Sequence, residues 1–305
     1  MSTAEAPTVA VPKPKARARR RKSRREGQSP WIWVAVVAII IFCLFPFYWL
    51  INVSLKTGAD LSSSSLVPPN PTLKNYSSIF KNDDFTNGLK NSAIVAFSVT
   101  ILALLVGSFA AYALARLKLR GKFVILGIVL SVTTFPQIAI AAPLFKLWTD
   151  GITIFGWHIV LYNTRIGLII PYLTFALPLA IYTLVAFFRE IPWDLEQAAQ
   201  VDGATPFQAF RKVIVPLAAP GVFTAAILVF IFCWNDFVFA ISLTSSDASR
   251  TVPAALAFFT GDSQFTEPTG NIAAAASLVT VPIIIFVLIF QRRIVAGLTA
   301  GAVKG

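Results

Sequence analysis

Six stretches of this chain are long and apolar enough to cross a bilayer, whose hydrocarbon core takes about 20 residues of helix. Because lipid offers the backbone no hydrogen-bonding partner, a run of this length must be helical. Of the 305 residues, 13% are charged, whereas a soluble domain carries about 25% charged residues. The sequence therefore predicts an all-α integral membrane protein with six transmembrane helices. The predicted spans are Trp31–Val53, Ser92–Leu114, Phe123–Leu147, Ile166–Phe188, Leu217–Leu243 and Ile272–Phe290.

Basic residues indicate on which side of the membrane each connection lies. Nine of the 26 basic residues fall in Lys13–Arg25, before the first span, and a second basic segment, Arg116–Lys122, follows the second span. The positive-inside rule assigns both segments and both termini to the cytoplasm. A basic block beside an apolar span is more typical of such an anchor than of a nucleic-acid-binding arm. No nucleic-acid partner is therefore predicted.

This topology divides the chain into three parts. Residues 1–30 form a basic, disordered cytoplasmic tail, because their composition supplies no apolar core. Residues 31–290 form the membrane domain, and residues 291–305 form a cytoplasmic C-terminal tail. The segment between the fourth and fifth spans, Arg189–Lys212, is then cytoplasmic too, and we call it the elbow.

The sequence lacks the motifs of catalysis and cofactor binding. Gly121 and Lys122 are followed by Phe123, and no glycine stands upstream at the spacing of a phosphate-binding loop. One histidine and two cysteines, none of them at metal-ligand spacing, supply neither a metal site nor a catalytic Cys–His pair. The chain is therefore expected to be a transport component and not an enzyme, with no cofactor or metal of its own.

Transport requires energy, which comes either from an ion gradient or from a partner protein. Ion-coupled transporters place acidic side chains or histidines near the bilayer midplane. The only acid well inside a predicted span is Asp236, and it lies toward the outer end of the fifth span. An external energy source is favoured, and an ion-coupled secondary transporter is the alternative.

The elbow has the pattern of two short amphipathic helices joined by a glycine. Asp194 and Glu196 lie in the first turn of the first helix, where the helix dipole favours negative charge. Gly203 suits the left-handed position that follows a helix C-terminus. Thr205–Gln208, with the sequence TPFQ, is a capping-box pattern that begins the second helix.

An amphipathic elbow at a membrane boundary either lies on the lipid surface or docks on a partner protein. Phe207, Phe210 and Ile214 give the second arm an apolar face. Basic residues would favour lipid, whereas the acidic first arm favours a protein partner. On these grounds alone both hypotheses stay open, and the first would fit a structural or signalling membrane protein.

The elbow resembles the EAA loop of permease subunits from bacterial ATP-binding-cassette importers. In "EQAAQVDGATPFQAFRKVIVP" the family's E-A-A falls on Gln197-Ala198-Ala199, its glycine on Gly203 and its proline on Pro216. Gln197 replaces the family's glutamate, which removes a charge at that point. Other stretches resemble carbohydrate permeases of the maltose type, and the C-terminal one resembles the smaller of the two maltose permease subunits: "INVSLKTGADL", "WNDFVF" and "GLTAGAVKG".

This resemblance implies a type I importer permease fold, with the EAA loop acting as a coupling helix between the fourth and fifth transmembrane helices. It implies a pore shared with a sister permease in the bacterial cell membrane, a pair of ATPase subunits that bind ATP and Mg²⁺, and an extracytoplasmic sugar-binding protein. The implied function is ATP-driven import of a di- or oligosaccharide of the maltose or trehalose type. A permease for a glycerol-phosphate-type solute is the alternative within the family.

Three groups of candidate functional residues follow. The ATPase-coupling loop comprises Glu196, Gln197, Ala198, Ala199, Asp202, Gly203, Ala204, Phe207, Phe210 and Pro216. The ATPase-contacting tail comprises Leu298, Thr299, Ala300 and Gly301. Candidate pore residues are Trp234, Asn235, Asp236 and Tyr182. The alternative for this last group is that Trp234 belongs to the interfacial aromatic belt and that Asp236 reaches the surface.

One external loop completes the predicted sites. Thr244–Asn271 lies between the last two spans, and the resemblance implies that it reaches toward the binding protein. It holds Phe258, Phe259 and Phe265 near Gly261.

Overall fold

The computed structural model describes residues 30–259 and 268–302, with side chains through residue 290 except those of residues 30 and 59. The chain divides into two compact units, one ending at Pro46 and the other beginning at Phe47. Of the first unit the structure describes the opening part of one helix. The helices are α1 Pro30–Ser54, α2 Lys74–Phe80, α3 Asp83–Arg116, α4 Lys122–Ser131, α5 Gln137–Asp150, α6 Arg165–Glu190, α7 Trp193–Val201, α8 Pro206–Ala209, α9 Val215–Leu217, α10 Ala219–Asn235, α11 Val238–Leu243, α12 Val252–Leu256 and α13 Thr269–Ala302. Two strands, β1 Ile152–Ile154 and β2 Trp157–Ile159, lie between α5 and α6.

Four helices, α1, α3, α6 and α13, are each long and apolar enough to cross a membrane. Two further helix pairs pass the same test together but are sharply bent, so the described chain has four such helices, or up to six if each bent pair is one span. The predicted helical membrane class is confirmed, and four predicted spans fall within these four helices. The predicted disordered tail, apart from residue 30, lies outside the described residues. α13 continues without a break through the boundary predicted at residue 291.

The third predicted span is not one straight helix, because the segment Lys122–Thr134, which contains α4, is bent by 83° relative to α5. Pro136 has no amide hydrogen to donate and precedes α5 in an extended conformation. The hydroxyls of Ser131, Thr133 and Thr134 each donate to a carbonyl three residues earlier at 2.7 Å, which satisfies acceptors at the end of α4. The break therefore has local causes that the length and hydrophobicity of the run do not reveal.

The fifth predicted span, Leu217–Leu243, is interrupted as well. The segment Pro206–Leu217 is bent by 75° relative to α10, and α10 ends at Asn235. The Asp236 carboxylate accepts hydrogen bonds from two backbone amides of α11, at 3.1 and 3.3 Å. It acts as a helix cap that begins α11, so the predicted span comprises two helices.

A two-stranded antiparallel hairpin departs from the purely helical prediction. Thr153 pairs with His158 at its centre. The turn residues Phe155 and Gly156 have φ angles of +49° and +84°, as a tight type I′ turn between two strands requires. Phe155 and Trp157 are both largely exposed.

α3, α6 and α10 pack together as the core of the second unit. Small residues allow α3 and α6 to approach closely: a Cβ atom on Gly107 would lie 3.3 Å from the Ala180 side chain, as in helix packing within membranes. Tyr172, Val99 and Phe230 are among the larger side chains that fill this core. A second apolar cluster joins the C-terminal ends of α3 and α6 to the second arm of the elbow.

Candidate functional site

The elbow folds as two helical arms around a tight turn, as predicted. The first arm, α7, closes with hydrogen bonds from Ala204 N to Ala199 O at 2.9 Å and from Gly203 N to Gln200 O at 3.0 Å, the pattern of a Schellman motif. Gly203 has a φ angle of +89°, a conformation that glycine adopts without steric cost. The prediction that Gly203 takes a left-handed conformation after the C-terminus of the first helix is confirmed.

The second arm begins with the predicted capping box. The Thr205 hydroxyl accepts a hydrogen bond from Gln208 N at 3.3 Å, and the Gln208 side-chain oxygen accepts one from Thr205 N at 2.9 Å. Pro206 occupies the first helical turn, where its missing amide hydrogen costs nothing. A π-helical turn, Phe210–Ile214, follows α8, so the arm is wider at that point than a regular α-helix.

One face of the elbow is exposed. Of the predicted coupling loop, the exposed residues are Gln197, Ala198, Asp202, Gly203, Phe207 and Pro216, and the half-buried ones are Ala199 and Ala204. Val201 is 87% exposed and Phe207 is 57% exposed. Large apolar side chains in water are costly, and on a short capped segment with polar neighbours they are typical of a surface that another molecule covers.

The other face of the elbow is buried against the chain's own helices. The Phe210 ring centroid lies 4.9 Å from that of Tyr112, 5.4 Å from that of Phe109 and 6.3 Å from that of Phe188. Ile214 is fully buried in the same cluster. The apolar face of the second arm therefore packs largely within this protein, whereas the sequence predicted that it would lie on lipid or in a partner. Of its two phenylalanines, only Phe207 is exposed.

Glu196 also points inward, although its acidity was interpreted as a sign of a partner. It is 3% exposed, and its carboxylate accepts a hydrogen bond from the Tyr112 hydroxyl. Arg116 Nε lies 3.7 Å from the Glu196 Oε2 atom. Arg116, a residue of the second basic segment, is itself buried. Arg116 and Glu196 are 80 positions apart in the sequence, so no local sequence pattern predicts the pair.

The four candidate pore residues divide into two groups. Trp234 is buried, donates to the Val279 carbonyl at 3.2 Å and so ties α10 to α13. Asp236 is buried as a helix cap, and the assignment of these two residues to the pore stays a prediction. Asn235 and Tyr182 are exposed and stay candidates.

The first part of the predicted binding-protein loop is fixed to the helix bundle. We call Thr244–Thr251 the anchored loop. Asn163 Oδ1 accepts hydrogen bonds from Ser245 N, Ser246 N and Ser249 Oγ at 2.9 to 3.1 Å. Asn91 of α3 donates to the carbonyls of residues 247 and 250 at 2.8 and 2.9 Å. No local sequence pattern indicates this network, because its members lie far apart along the chain.

The rest of that loop is only partly described. Phe258 is 47% exposed, and Phe259 packs at 6.3 Å from Phe85. Phe265 and Gly261 lie outside the described residues. The predicted ATPase-contacting residues Leu298–Gly301 fall in α13, and their side chains are outside the described part. Among the described residues, no three acidic, histidine or cysteine side chains are grouped so as to hold a metal ion.

Comparison with known proteins places this architecture in a family. Residues 76–299 match the family described as "Binding-protein-dependent transport system inner membrane component". The chain is 55% identical over 267 residues to the trehalose transport system permease protein SugB of Mycobacterium tuberculosis. The matched region covers 88% of this chain and 94% of that protein. It is 40% identical over 267 residues to the trehalose/maltose transport system permease protein MalG of Thermococcus litoralis, covering 87% and 93%.

Two further matches bear on substrate and fold. The sulfoquinovosyl glycerol transport system permease protein SmoH of Agrobacterium fabrum is 42% identical over 264 residues, covering 86% of this chain and 89% of that protein. A chain in the crystal structure of a bacterial ABC transporter involved in alginate import superposes with a TM-score of 0.69 at 24% identity, covering 87% of this chain and 97% of that chain. At that identity the likeness shows the fold.

The family match assigns this helical membrane bundle to a transport component of the inner membrane. The chain belongs to the family of binding-protein-dependent transport system inner membrane components. Its relatives are permease subunits, which are transport components and not enzymes. Membership of this family argues against the ion-coupled secondary transporter that the sequence left as an alternative.

Proposed function

We propose that this chain is one permease subunit of an ATP-driven importer for a disaccharide, with trehalose as the first substrate to test. The elbow is the observation that carries the proposal. It is a rigid, doubly capped turn with an exposed face, and it packs on the ends of α3 and α6. A segment held in this way converts a push on its exposed face into movement of the membrane helices.

The partners in this proposal are those of a binding-protein-dependent importer. A sister permease completes the pore, two ATPase subunits bind ATP and Mg²⁺ and contact the exposed face of the elbow and residues Leu298–Gly301, and a binding protein delivers the sugar. This chain binds no cofactor of its own. Both of its termini lie in the cytoplasm, as the positive-inside rule indicates.

Trehalose is proposed because a 55% identical relative is named as a trehalose permease and a 40% identical relative as a trehalose/maltose permease. A second candidate substrate is a sulfonated glycoside of glycerol, since the relative named for sulfoquinovosyl glycerol is 42% identical. The two substrates differ in charge, so a binding site for one should discriminate strongly against the other.

The test is reconstitution of this chain with its sister permease, ATPase and binding protein from the same genome in lipid vesicles. ATP is enclosed in the vesicles, and labelled trehalose, maltose or sulfoquinovosyl glycerol is added outside. Uptake of the labelled solute is then measured. We expect ATP-dependent uptake of trehalose, and maltose at a comparable or lower rate. If sulfoquinovosyl glycerol alone is taken up, it replaces trehalose as the proposed substrate. Uptake that continues without ATP but follows an ion gradient would contradict the proposed ATP-driven mechanism.

A further inference from the structure

Arg116, the last residue of α3, is buried together with the acid that faces it. The side chains of Arg116 and Glu196 are 1% and 5% exposed. Burying two charges is expensive unless their attraction and their hydrogen bonds compensate. If this contact served only to hold the elbow against α3, apolar side chains would serve equally well, like those of the adjacent cluster around Phe210. The presence of charge at this point therefore needs its own explanation.

Arg116 contacts the elbow at three places. Its Nη2 atom donates to the Ile191 carbonyl at 2.7 Å, in the link between α6 and α7. Its guanidinium lies over the Trp193 ring, 4.8 Å from the centroid, and its Nε atom is 3.7 Å from Glu196 Oε2. Tyr112, one turn earlier on α3, donates to the other carboxylate oxygen of Glu196. Two side chains of α3 thus hold the beginning and the middle of the first arm.

The ion pair is held by charge and not by hydrogen bonds. Arg116 Nε and Nη1 and Glu196 Oε2 are buried without a hydrogen-bond partner. Hydrogen bonds weaken steeply with distance and angle, whereas Coulomb attraction falls only as the inverse of distance. The Arg116–Glu196 contact can therefore change direction at small cost, while the hydrogen bonds from Arg116 to Ile191 and from Tyr112 to Glu196 keep the first arm attached to α3.

We propose that Arg116 and Glu196, with Tyr112, form a clamp that couples displacement of the elbow's first arm to α3. The inference rests on the proposed function, in which an ATPase subunit moves the elbow. α3 is a 34-residue helix, about 50 Å long at 1.5 Å per residue, and Asn91 of the same helix holds the anchored loop. A movement at the elbow is then transmitted along α3 to the other end of the bundle. Arg116 is a positioning residue in this scheme and contacts no transported solute.

The test is ATP hydrolysis by the complete importer in lipid discs, measured with and without the sugar-loaded binding protein. The readout is the ratio of stimulated to basal hydrolysis, because loss of folded complex lowers both rates together and leaves the ratio unchanged. Glu196→Gln preserves shape and the contact with Tyr112 but removes the charge, and we expect the ratio to fall about tenfold or more. Lys118→Gln removes one charge from the same basic segment at an exposed position and should leave the ratio unchanged.

A second variant keeps the inference testable if Glu196→Gln does not assemble. Tyr112→Phe removes a single hydroxyl from the clamp, and we expect the ratio to fall about two- to fivefold. A wild-type ratio in Glu196→Gln, or in Tyr112→Phe where Glu196→Gln fails to assemble, would overturn the clamp. If the wild-type complex itself shows no stimulation by a loaded binding protein, the proposed function is wrong, and this outcome is distinct from failure of the clamp.

Discussion

The elbow and the anchored loop lie at opposite ends of α6 and are attached to the bundle by different chemistry. At the loop end, Asn163 and Asn91 make short hydrogen bonds to backbone and hydroxyl groups. At the elbow end, the polar attachment is a buried charged pair at 3.7 Å, with one hydrogen bond from Tyr112 to Glu196 and one from Arg116 to the Ile191 carbonyl. α6 has 26 residues, so the two attachments are about 39 Å apart along its axis.

The difference in chemistry indicates a difference in compliance. A set of short hydrogen bonds fixes both distance and direction, because each bond weakens steeply when its geometry changes. An ion pair without hydrogen bonds tolerates a change of direction at small cost, since its energy depends mainly on separation. The loop end is therefore attached with a fixed distance and direction, whereas the ion pair at the elbow end can change direction while the elbow stays attached to α3.

The largest expected effect on stability is at the loop end. Asn163 has a φ angle of +54° and accepts three hydrogen bonds from the anchored loop. Asn163→Ala should destabilise the protein by about 2–4 kcal/mol, through lost hydrogen bonds and the strain of alanine at positive φ. The measurement is thermal unfolding of the purified protein in detergent. Asn163→Gly removes the same side chain without the strain and should lose about 1 kcal/mol less; equal stability of Asn163→Ala and wild type would contradict the rigid anchor.

At the elbow turn, a substitution that costs little stability is expected to have a large effect on the coupling of ATP hydrolysis to the binding protein. A Cβ atom on Gly203 would meet nothing within 4 Å, so Gly203→Val costs only backbone strain, about 1–2 kcal/mol. That strain should re-aim the second arm, and stimulation of ATP hydrolysis by the loaded binding protein should drop about tenfold in a complex that still assembles. Gly121→Val is the matched control, because Gly121 has a φ angle of +75° and is equally free of neighbours. Similar losses in both variants would mean that strain, and not the elbow, is responsible.

These two regions also show what the sequence can and cannot predict. The capping box at Thr205 and the turn at Gly203 were predictable because each involves residues within a few positions of one another. The Arg116–Glu196 pair was not, since a charge at a span end has the same local pattern whether it orients the chain or pairs with a residue 80 positions away. The same limit applies to Asn163, whose partners lie more than 80 positions along the chain.

Prolines in apolar runs show a second limit. Pro171 and Pro178 lie inside the continuous helix α6, whereas Pro136 marks the sharp bend between α4 and α5. All three lie inside predicted spans. The distinguishing feature at Pro136 is the group of hydroxyl side chains before it, which satisfy the carbonyls of α4. Hydrophobicity over a window of about 20 residues does not register such a detail.

A smaller effect is expected at Phe258, which lies beyond the anchored loop. Phe258 is half exposed beside the anchored loop, with the Arg250 guanidinium 4.1 Å from its ring centroid. If residues beyond the anchored loop contact the binding protein, Phe258→Ala should weaken binding about three- to tenfold while assembly is unchanged. Affinity is measured by titrating loaded binding protein against ATP hydrolysis. Phe155→Ala, at the exposed hairpin turn, removes an equally large aromatic group and should have no effect; the reverse ranking would move the contact to the hairpin.

The smallest effect is expected one residue from the clamp. Gln197 is exposed, and Gln197→Glu restores the residue that the EAA-loop resemblance implies without disturbing any buried group. Glutamate and glutamine have similar helix propensities, and Gln197 is the central residue of α7, so the added charge interacts little with the helix dipole. The ratio of stimulated to basal ATP hydrolysis should therefore stay within about twofold of wild type.

The double variant Glu196→Gln/Gln197→Glu conserves net charge. Because Glu196 is buried beside Arg116, this double variant should remain as defective as Glu196→Gln alone. Recovery in the double variant would mean that the charge of the first arm matters and its position does not, and the clamp would lose its basis.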